Sequence, residues 1–288
     1  MQFYPSKNNN VLNRQPFSPE CVGGRAMVNP HYPVDVCHQA RYIIDSGAFQ
    51  EIEMLNRIQP WSALDRQLRL EAQIEYGGGP DHAEAIVTYD MLVGVDEAIV
   101  DGKRKKQRGT EESAQEAIYE TIRSARYYHS QAHRIRGAIA YAAQGATPAQ
   151  YLACVDALLP LMRSGRDWMA FGGFCILGRM RSLLPTFETT LALVVPKLAA
   201  AGIARAHLLG VCLPDAIAMC VEMERRYGVA FSTDSSAPEV CGVMGRTYVN
   251  GRQRETYTKA QKYVDYHPAT LAIENIKEYT TWLHAFSR

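Results

Sequence analysis

The chain has little net charge, no long apolar run and no paired cysteines, and each of these absences excludes a class of protein. Its formal net charge is only +1, so no global basic field marks it as a binder of polyanions. Any nucleic-acid contact must come from local basic patches. No apolar run reaches the roughly 18 residues of a membrane span, and the polar start MQFYPSKNNN does not resemble a signal peptide. We therefore expect no contact with a membrane.

Cysteine is present, but never in a C-x-x-C pair. The chain has seven cysteines, an odd number, and most of them lie in apolar runs, as Cys154 does between Ala153 and Val155. This usage is typical of reduced, buried thiols. It predicts a cytoplasmic protein.

Several sequence motifs that bind metals or nucleotides are also missing. His129 and His133 are four residues apart, but no H-E-x-x-H motif accompanies them, and we interpret them as part of a solvated helix end. The chain has no phosphate-loop lysine motif and no G-x-S-x-G elbow. We therefore expect neither a bound metal nor a cofactor.

Strand-like and helix-like segments alternate along most of the chain. The predicted strands are 42–45, 83–90, 137–143, 167–174, 206–211 and 229–233. The predicted helices are 61–76, 110–129, one from Thr147 and Pro148, 186–201 with a break or kink at Pro196, 214–227 and 268–285. This alternation indicates parallel βαβ units. Six or more units favour a closed barrel, although the pattern alone leaves an open sheet possible. We expect a single α/β domain over residues 1–288, a TIM-like (β/α)8 barrel.

Polar residues follow the predicted strands. Asp45, Asp90, Gln144 and Asp234 each stand at a strand end, and Gly172 and Gly173 stand at a fifth. In a parallel barrel these ends converge on one face. A single aspartate there could simply cap the next helix, but three aspartates and a glutamine favour a polar pocket.

These side chains suit one kind of chemistry. One carboxylate can attack or stabilise an oxocarbenium-like carbon while another moves protons. An amide and glycine backbone groups can contact the edge of a heterocycle. A barrel lyase or aldolase would need a lysine at a strand end, and the predicted strand ends have none.

Four segments resemble motifs of the tRNA-guanine transglycosylase superfamily, in the same order. They are DSGAFQ at 45–50, AQG at 143–145, FGGFCILG at 171–178, and HLLGV at 207–211 followed by Pro214 and Asp215. The resemblance covers roughly residues 42–236. The short chain and its start, FYPS at 3–6, look more like the branch that inserts deazaguanine bases into DNA.

The resemblance implies a role for each matching residue. It implies that Asp234 is the nucleophile and that Asp45 transfers protons at the bound base. Asp90 would contact the edge of the base, with Asp96 as the competing alignment. The other implied substrate-binding residues are Ser46, Phe49, Gln144, Gly145, Gly172 and Gly173.

The sequence departs from the family pattern at three places. Ala48 replaces the second glycine of D-S-G-G-F-Q, and Arg179 replaces a glutamate, which bears on the identity of the incoming base. The family's zinc site, three cysteines and a histidine near the C-terminus, has no counterpart. We therefore expect neither that zinc nor the tRNA-docking subdomain built around it.

The resemblance thus predicts an enzyme that replaces guanine in DNA by a 7-deazaguanine of the preQ0 type, through a covalent aspartyl-glycosyl intermediate and without a cofactor. Its partners would be DNA with a flipped or single-stranded target, the free 7-deazaguanine base and, in a homo-oligomer, a second copy of the chain. The predicted phosphate contacts are Lys103, Arg104, Lys105 and Lys106, then Arg252 and Arg254 with their neighbours Arg246, Lys259 and Lys262. The alternative for both stretches is a solvated loop. The alternatives are an enzyme acting on tRNA and a non-catalytic nucleic-acid-binding member of a modification complex.

Overall fold

Eight parallel strands form one nearly closed, barrel-like sheet in the computed structural model. The model describes residues 1–6, 24–29, 41–48, 63–77, 83–93, 96–100, 103–107, 111–175, 177, 180–258 and 261–288. The barrel strands are β1 (Gln2–Pro5), β2 (Arg25–Val28), β3 (Arg41–Ile44), β4 (Ala83–Val87), β7 (Ala138–Ala143), β8 (Trp168–Phe171), β9 (Arg205–Leu208) and β10 (Ala230–Ser235).

From β2 onward, each barrel strand pairs with the barrel strand that follows it in the chain, and the last one, β10, returns to pair with β1. Between β1 and β2 the gap is bridged by a single parallel pair, Ser6 with Met27. This succession is the topology of a TIM-like barrel, so the α/β class and the barrel architecture predicted from the sequence are confirmed.

Helices surround the barrel. Those within the described residues are α1 (Ala63–Gly77), α2 (Glu111–Ser130), α3 (Pro148–Leu158), α4 (Leu184–Ala200), α5 (Pro214–Tyr227), α6 (Ala237–Val243) and α7 (Pro268–Phe286). Thr147 caps α3 in a reciprocal capping box with Gln150, and Gly228 ends α5 in the left-handed conformation, with φ of 70°. Both ends agree with the sequence prediction.

Alternate residues of the strands form two cores. Tyr4, Ile43 and Trp168 pack inside the barrel together with several alanines, among them Ala140 and Ala170. The intervening residues point outward and pack under the helices, as Phe171 does. Both faces of the strands are therefore buried, and this explains why the strands are apolar throughout rather than alternating.

Helix α4 shows how strongly this outer core directs local structure. The segment Arg181–Ala200 is long and apolar enough, by length and composition alone, to cross a membrane. Its apolar residues, including Leu191 and Val195, pack into the outer core, as in a core helix. Pro196 lies inside α4, which continues to Ala200. The predicted break is absent because packing on the barrel outweighs the lost backbone hydrogen bond.

The structure also corrects several sequence predictions. Strands β1 and β2 were not predicted, and neither was a two-stranded antiparallel hairpin formed by β5 (Asp96–Val100) and β6 (Lys103–Gln107). Strands β4, β8 and β9 end three residues earlier than predicted, at Val87, Phe171 and Leu208, because the backbone leaves the ladder to form the loops at the barrel's end. β10 continues one residue past Asp234.

A second hairpin packs against the last helix. It consists of β11 (Arg246–Val249) and β12 (Arg252–Glu255). The buried Asn275 on α7 accepts a hydrogen bond from the backbone N–H of Tyr248 at 2.9 Å and donates to the carbonyls of Pro238 at 3.0 Å and Arg246 at 2.8 Å. One amide side chain therefore fastens the hairpin and α6 to α7.

We predict that Asn275→Leu lowers the free energy of unfolding by on the order of 3 kcal/mol, because it removes three hydrogen bonds that a buried side chain makes to the backbone. Urea denaturation followed by circular dichroism measures the change. Glu274→Ala, at the exposed neighbouring position, is the control and should change stability by less than about 0.5 kcal/mol. Equal stability of the two variants would contradict the prediction.

Candidate active site

Three aspartates from different strands come together at the C-terminal end of the barrel. Asp45 directly follows β3, Asp90 lies three residues after β4, and Asp234 is the penultimate residue of β10. The negative charges of Asp234 and Asp90 both act on the carboxyl group of Asp45. Asp90 and Asp234 are buried, whereas Asp45 is partly exposed. The three carboxyl groups therefore lie within one polar cluster.

Asp90 is held by two side chains from neighbouring loops. The Ser46 hydroxyl donates to Oδ1 at 3.1 Å, and Nε2 of Gln144 donates to Oδ2. Burial raises the pKa of Asp90 to about 6, although both hydrogen bonds oppose the shift. Asp96, the competing alignment, begins β5, which pairs with β6 and of which the structure describes the backbone only.

Glycines make room for this arrangement. A Cβ atom on Gly172 would lie 2.0 Å from Nε2 of Gln144 and 2.6 Å from Oδ2 of Asp90. One on Gly173 would lie 2.9 Å from Oε1 of Gln144, and the φ of Gly173 is 75°. Gly145 is equally constrained, because its Cβ would lie 2.6 Å from the backbone nitrogen of Tyr151. Any side chain at these positions would displace the amide or the loop that carries it.

The amide of Gln144 has one atom left for a ligand. Its side chain is fully buried, Nε2 is used by Asp90, and Oε1 has no hydrogen-bond partner among the described residues. A buried acceptor without a partner costs free energy that a ligand N–H can recover. Gln144 therefore provides an acceptor next to the Gly172–Gly173 backbone.

Asp45 differs from Asp90 in its partners. Its Oδ1 accepts a hydrogen bond from its neighbour, the backbone N–H of Ser46, at 2.7 Å. Burial and then the charges of Asp234 and Asp90 raise the pKa of Asp45 to about 7. Near neutral pH this carboxyl group is present in both protonation states, so it can both give and accept a proton.

A buried arginine lies behind the cluster, and sequence reasoning missed it. Nη1 of Arg69 donates to the carbonyl of Ser46, and its guanidinium lies 4.8 Å from the ring centroid of Tyr89. Burial lowers the pKa of Arg69 to about 10, and the charges of Asp45 and Asp90 oppose that shift. The sequence feature that could have indicated this arginine is a stripe of polar residues along one face of α1, which the structure buries. It consists of Arg66, Arg69 and Gln73.

Asp234 accepts hydrogen bonds from three groups, none of which was predicted from the sequence. The backbone N–H of Gly210 lies 2.8 Å from Oδ1, and Nε2 of His207 lies 3.2 Å from the same atom. The Ser6 hydroxyl donates to Oδ2 at 2.5 Å. Gly210 has a φ of 71°, and a Cβ there would lie 2.7 Å from the Cβ of Cys175. Asp234 is thus fixed from the ends of β1 and β9.

Other predicted residues lie apart from this cluster or outside the described residues. Phe49 and Arg179 are outside the described residues. Lys103, Arg104, Lys105 and Lys106 belong to β6, of which the structure describes the backbone only. Arg252 and Arg254 are exposed on β12. Within the described ranges, no group of three histidine, cysteine, aspartate or glutamate side chains is arranged to hold a metal ion.

The fold and the cluster together define a parallel β/α barrel with a carboxylate-lined site at the C-terminal ends of its strands. No protein-family model matches the chain, and no curated protein matches it at a significant level. The resemblance to the transglycosylases therefore stays a prediction, and the chemistry of the site is argued from its geometry.

We predict that Asp45→Asn stabilises the protein increasingly as the pH rises. The folded state keeps the Asp45 proton up to about pH 7, whereas an unperturbed aspartate loses it near 3.8. The wild-type carboxyl group therefore lowers stability as the pH rises through this range. The advantage of Asp45→Asn in free energy of unfolding should grow by roughly 2–3 kcal/mol between about pH 5 and pH 8.

Urea denaturation at the two pH values measures this difference. Asp265→Asn removes an exposed carboxylate and is the matched control. An advantage of Asp45→Asn that stays constant or shrinks with rising pH would show that Asp45 is ionised throughout.

Proposed function

We propose that this protein exchanges guanine in DNA for a 7-deazaguanine base. The observation that carries the proposal is the meeting of Asp45, Asp90 and Asp234 beside the buried amide of Gln144. Such a site supplies a nucleophile, a proton carrier and a surface for hydrogen bonds to a heterocycle. Cleavage and re-formation of a glycosidic bond to a base require all three functions in one site.

Asp234 is the nucleophile in this proposal. One of its carboxylate oxygens attacks C1′ of the target nucleotide, the C1′–N9 bond breaks, and its electron pair leaves with guanine. The product is an ester between Asp234 and the sugar. The deazaguanine nitrogen then attacks C1′ and releases the carboxylate, so the two displacements retain the configuration at the sugar. One glycosidic bond replaces another, and no energy source is required.

Asp45 carries the proton. In its protonated form it gives a proton to the departing guanine, and as a carboxylate it accepts one from the incoming base. Its pKa of about 7 makes both forms available at neutral pH, which is the condition for efficient general acid–base catalysis. Its partial exposure gives it access to the ligand.

The Gln144 region supports recognition of the base. Guanine and 7-deazaguanine present the same N–H donors on their Watson–Crick edge. Oε1 of Gln144 can accept one of them, and Asp90 lies directly beside it. Because the two bases share this edge, one site can hold both in turn.

We predict that Asp234→Asn lowers the rate of base exchange at least roughly 10³-fold, because it removes the attacking oxygen's charge while the fold remains. Release of labelled guanine from DNA in the presence of free 7-deazaguanine base is the measurement. Asp156→Asn, an exposed aspartate on α3, is the matched control and should keep wild-type activity. Unchanged exchange in Asp234→Asn would remove its assignment as nucleophile.

The same assay separates the alternatives. Release from labelled tRNA but not from DNA would indicate an RNA-directed enzyme. Binding of nucleic acid without release of base from either substrate would indicate a non-catalytic binding protein.

The hairpin β11–β12 and the loop after it support contact with a polyanion. Arg252 and Arg254 are exposed. In the following loop, Tyr263 exposes 67% of its surface, and Nζ of Lys262 lies 5.1 Å from its ring centroid. This loop precedes α7, whose N-terminus lies on the same face as the aspartates in a β/α barrel. Basic side chains with an exposed aromatic ring suit an unpaired strand.

We predict that the double variant Arg252→Glu and Arg254→Glu weakens DNA binding and flattens its dependence on salt. Loss of two phosphate contacts should reduce the slope of log K against log salt by about 2. Fluorescence anisotropy over a salt series measures it. Arg225→Glu with Arg226→Glu makes the same charge change in the last turn of α5, at the other end of the barrel. Equal slopes for the two double variants would exclude the hairpin as a phosphate-binding surface.

A further inference from the structure

A histidine lies fully buried inside the barrel, directly below the nucleophile of the proposed reaction. His207 on β9 has no exposed surface. Its Nε2 lies 3.2 Å from Oδ1 of Asp234, and its Nδ1 lies 2.9 Å from the Ser232 hydroxyl. The edge-on ring of Tyr4, with its centroid 5.8 Å away, fills the space beside it. Both ring nitrogens are therefore occupied by protein groups from β10.

The partners of the ring determine where its proton lies. An ionised carboxylate only accepts hydrogen bonds, so contact with Oδ1 requires a proton on Nε2. Ser232 can satisfy Nδ1 in either state, because a hydroxyl both donates and accepts, and its oxygen also lies 3.3 Å from the carbonyl of Ala206. Ser232 thus permits the Nε2–H form that Asp234 requires.

The hydrogen bonds to Asp234 are unequally divided between its two oxygens. A carboxylate offers roughly two acceptor directions on each oxygen. Gly210 and His207 occupy both directions on Oδ1. Ser6 occupies one on Oδ2, and the described residues provide no second donor to that atom. Oδ2 is therefore the oxygen with an electron pair free for attack.

We propose that His207 is a positioning residue that holds Asp234 through Nε2–H and directs Oδ2 towards the sugar carbon, a role that rests on the proposed base exchange. The ring itself lies below Asp234 and does not touch the substrate. Its contribution is to fix the rotation of the carboxylate, as partners of catalytic side chains do elsewhere. Loss of His207 should accordingly lower kcat and leave KM nearly unchanged.

The first experiment detects the proton directly and does not depend on activity. Nitrogen-15 NMR of histidine-labelled protein distinguishes a protonated from an unprotonated Nε2. The chain has eight histidines, and the resonance lost in His207→Gln identifies the ring. We expect a protonated Nε2 at neutral pH in the wild type. An unprotonated Nε2 would overturn the proposal even if base exchange is confirmed.

The second experiment separates positioning from packing. His207→Gln can keep an N–H donor near the place of Nε2, whereas His207→Phe keeps a ring without a donor. For His207→Phe we expect kcat of base exchange to fall roughly 10–100-fold with KM within about twofold of the wild type, and for His207→Gln a loss of only about threefold. Equal kcat in both variants and the wild type would overturn the proposal.

A further variant keeps the outcomes distinct. Ser232→Ala removes the partner of Nδ1 and leaves the contact between Nε2 and Asp234, so it should lower kcat less than His207→Phe does. If circular dichroism shows that His207→Phe does not fold, Ser232→Ala takes its place in the comparison with the wild type. If the wild type exchanges no base, the proposed function fails. The NMR result still decides whether His207 holds Asp234.

Discussion

Three carboxyl groups lie close together at the largely buried C-terminal end of the barrel. The rest of the site depends on this constraint. Each negative charge raises the free energy of the others, and burial raises it further. The protein offsets this cost with donors from separate segments. Ser46 and Gln144 serve Asp90, while Ser6, His207 and Gly210 serve Asp234. The positive charge of Arg69 acts on Asp45 and Asp90 from behind. Without these partners the cluster would expand or remain protonated.

The donors are distributed unequally, and this inequality gives each aspartate a different chemical character. Asp234 has three donors to its carboxylate, an arrangement that fixes the orientation of the side chain. Asp90 has two side-chain donors and a pKa of about 6, and Asp45 accepts from backbone groups only and has a pKa of about 7. Carboxyl groups with separated proton affinities are the condition for assigning an acid, a base and a nucleophile within one site. The proposed reaction needs this division.

The barrel fold and the position of the aspartates at its strand ends could be predicted from the sequence for the same physical reason. Strands buried on both faces are apolar runs, and a carboxylate that directly follows one must lie at the common end of a parallel sheet. Strands β1 and β2 were missed because the sequence has no predicted helix before 61–76, so no strand–helix alternation marked them. The partners of Asp234 were missed because they depend on the closure of the barrel, which brings Ser6 to a residue 228 positions later. His207 was visible only as part of an apolar motif, and its orientation follows from its register opposite Ser232.

The interior below the site explains how the barrel tolerates so many polar groups in its mouth. In register with His207 on the neighbouring strand is Ala170, and Ala142 lies beside Ala170 on the next strand. These small side chains leave space inside the barrel for an imidazole ring, while Tyr4 and Trp168 fill the remaining volume of the same core. A larger residue at Ala170 would push His207 towards Asp234 or out of contact with Ser232. The geometry of the carboxylates at the C-terminal end of the barrel is therefore set by the size of the side chains in the layer below them. Those side chains are uncharged.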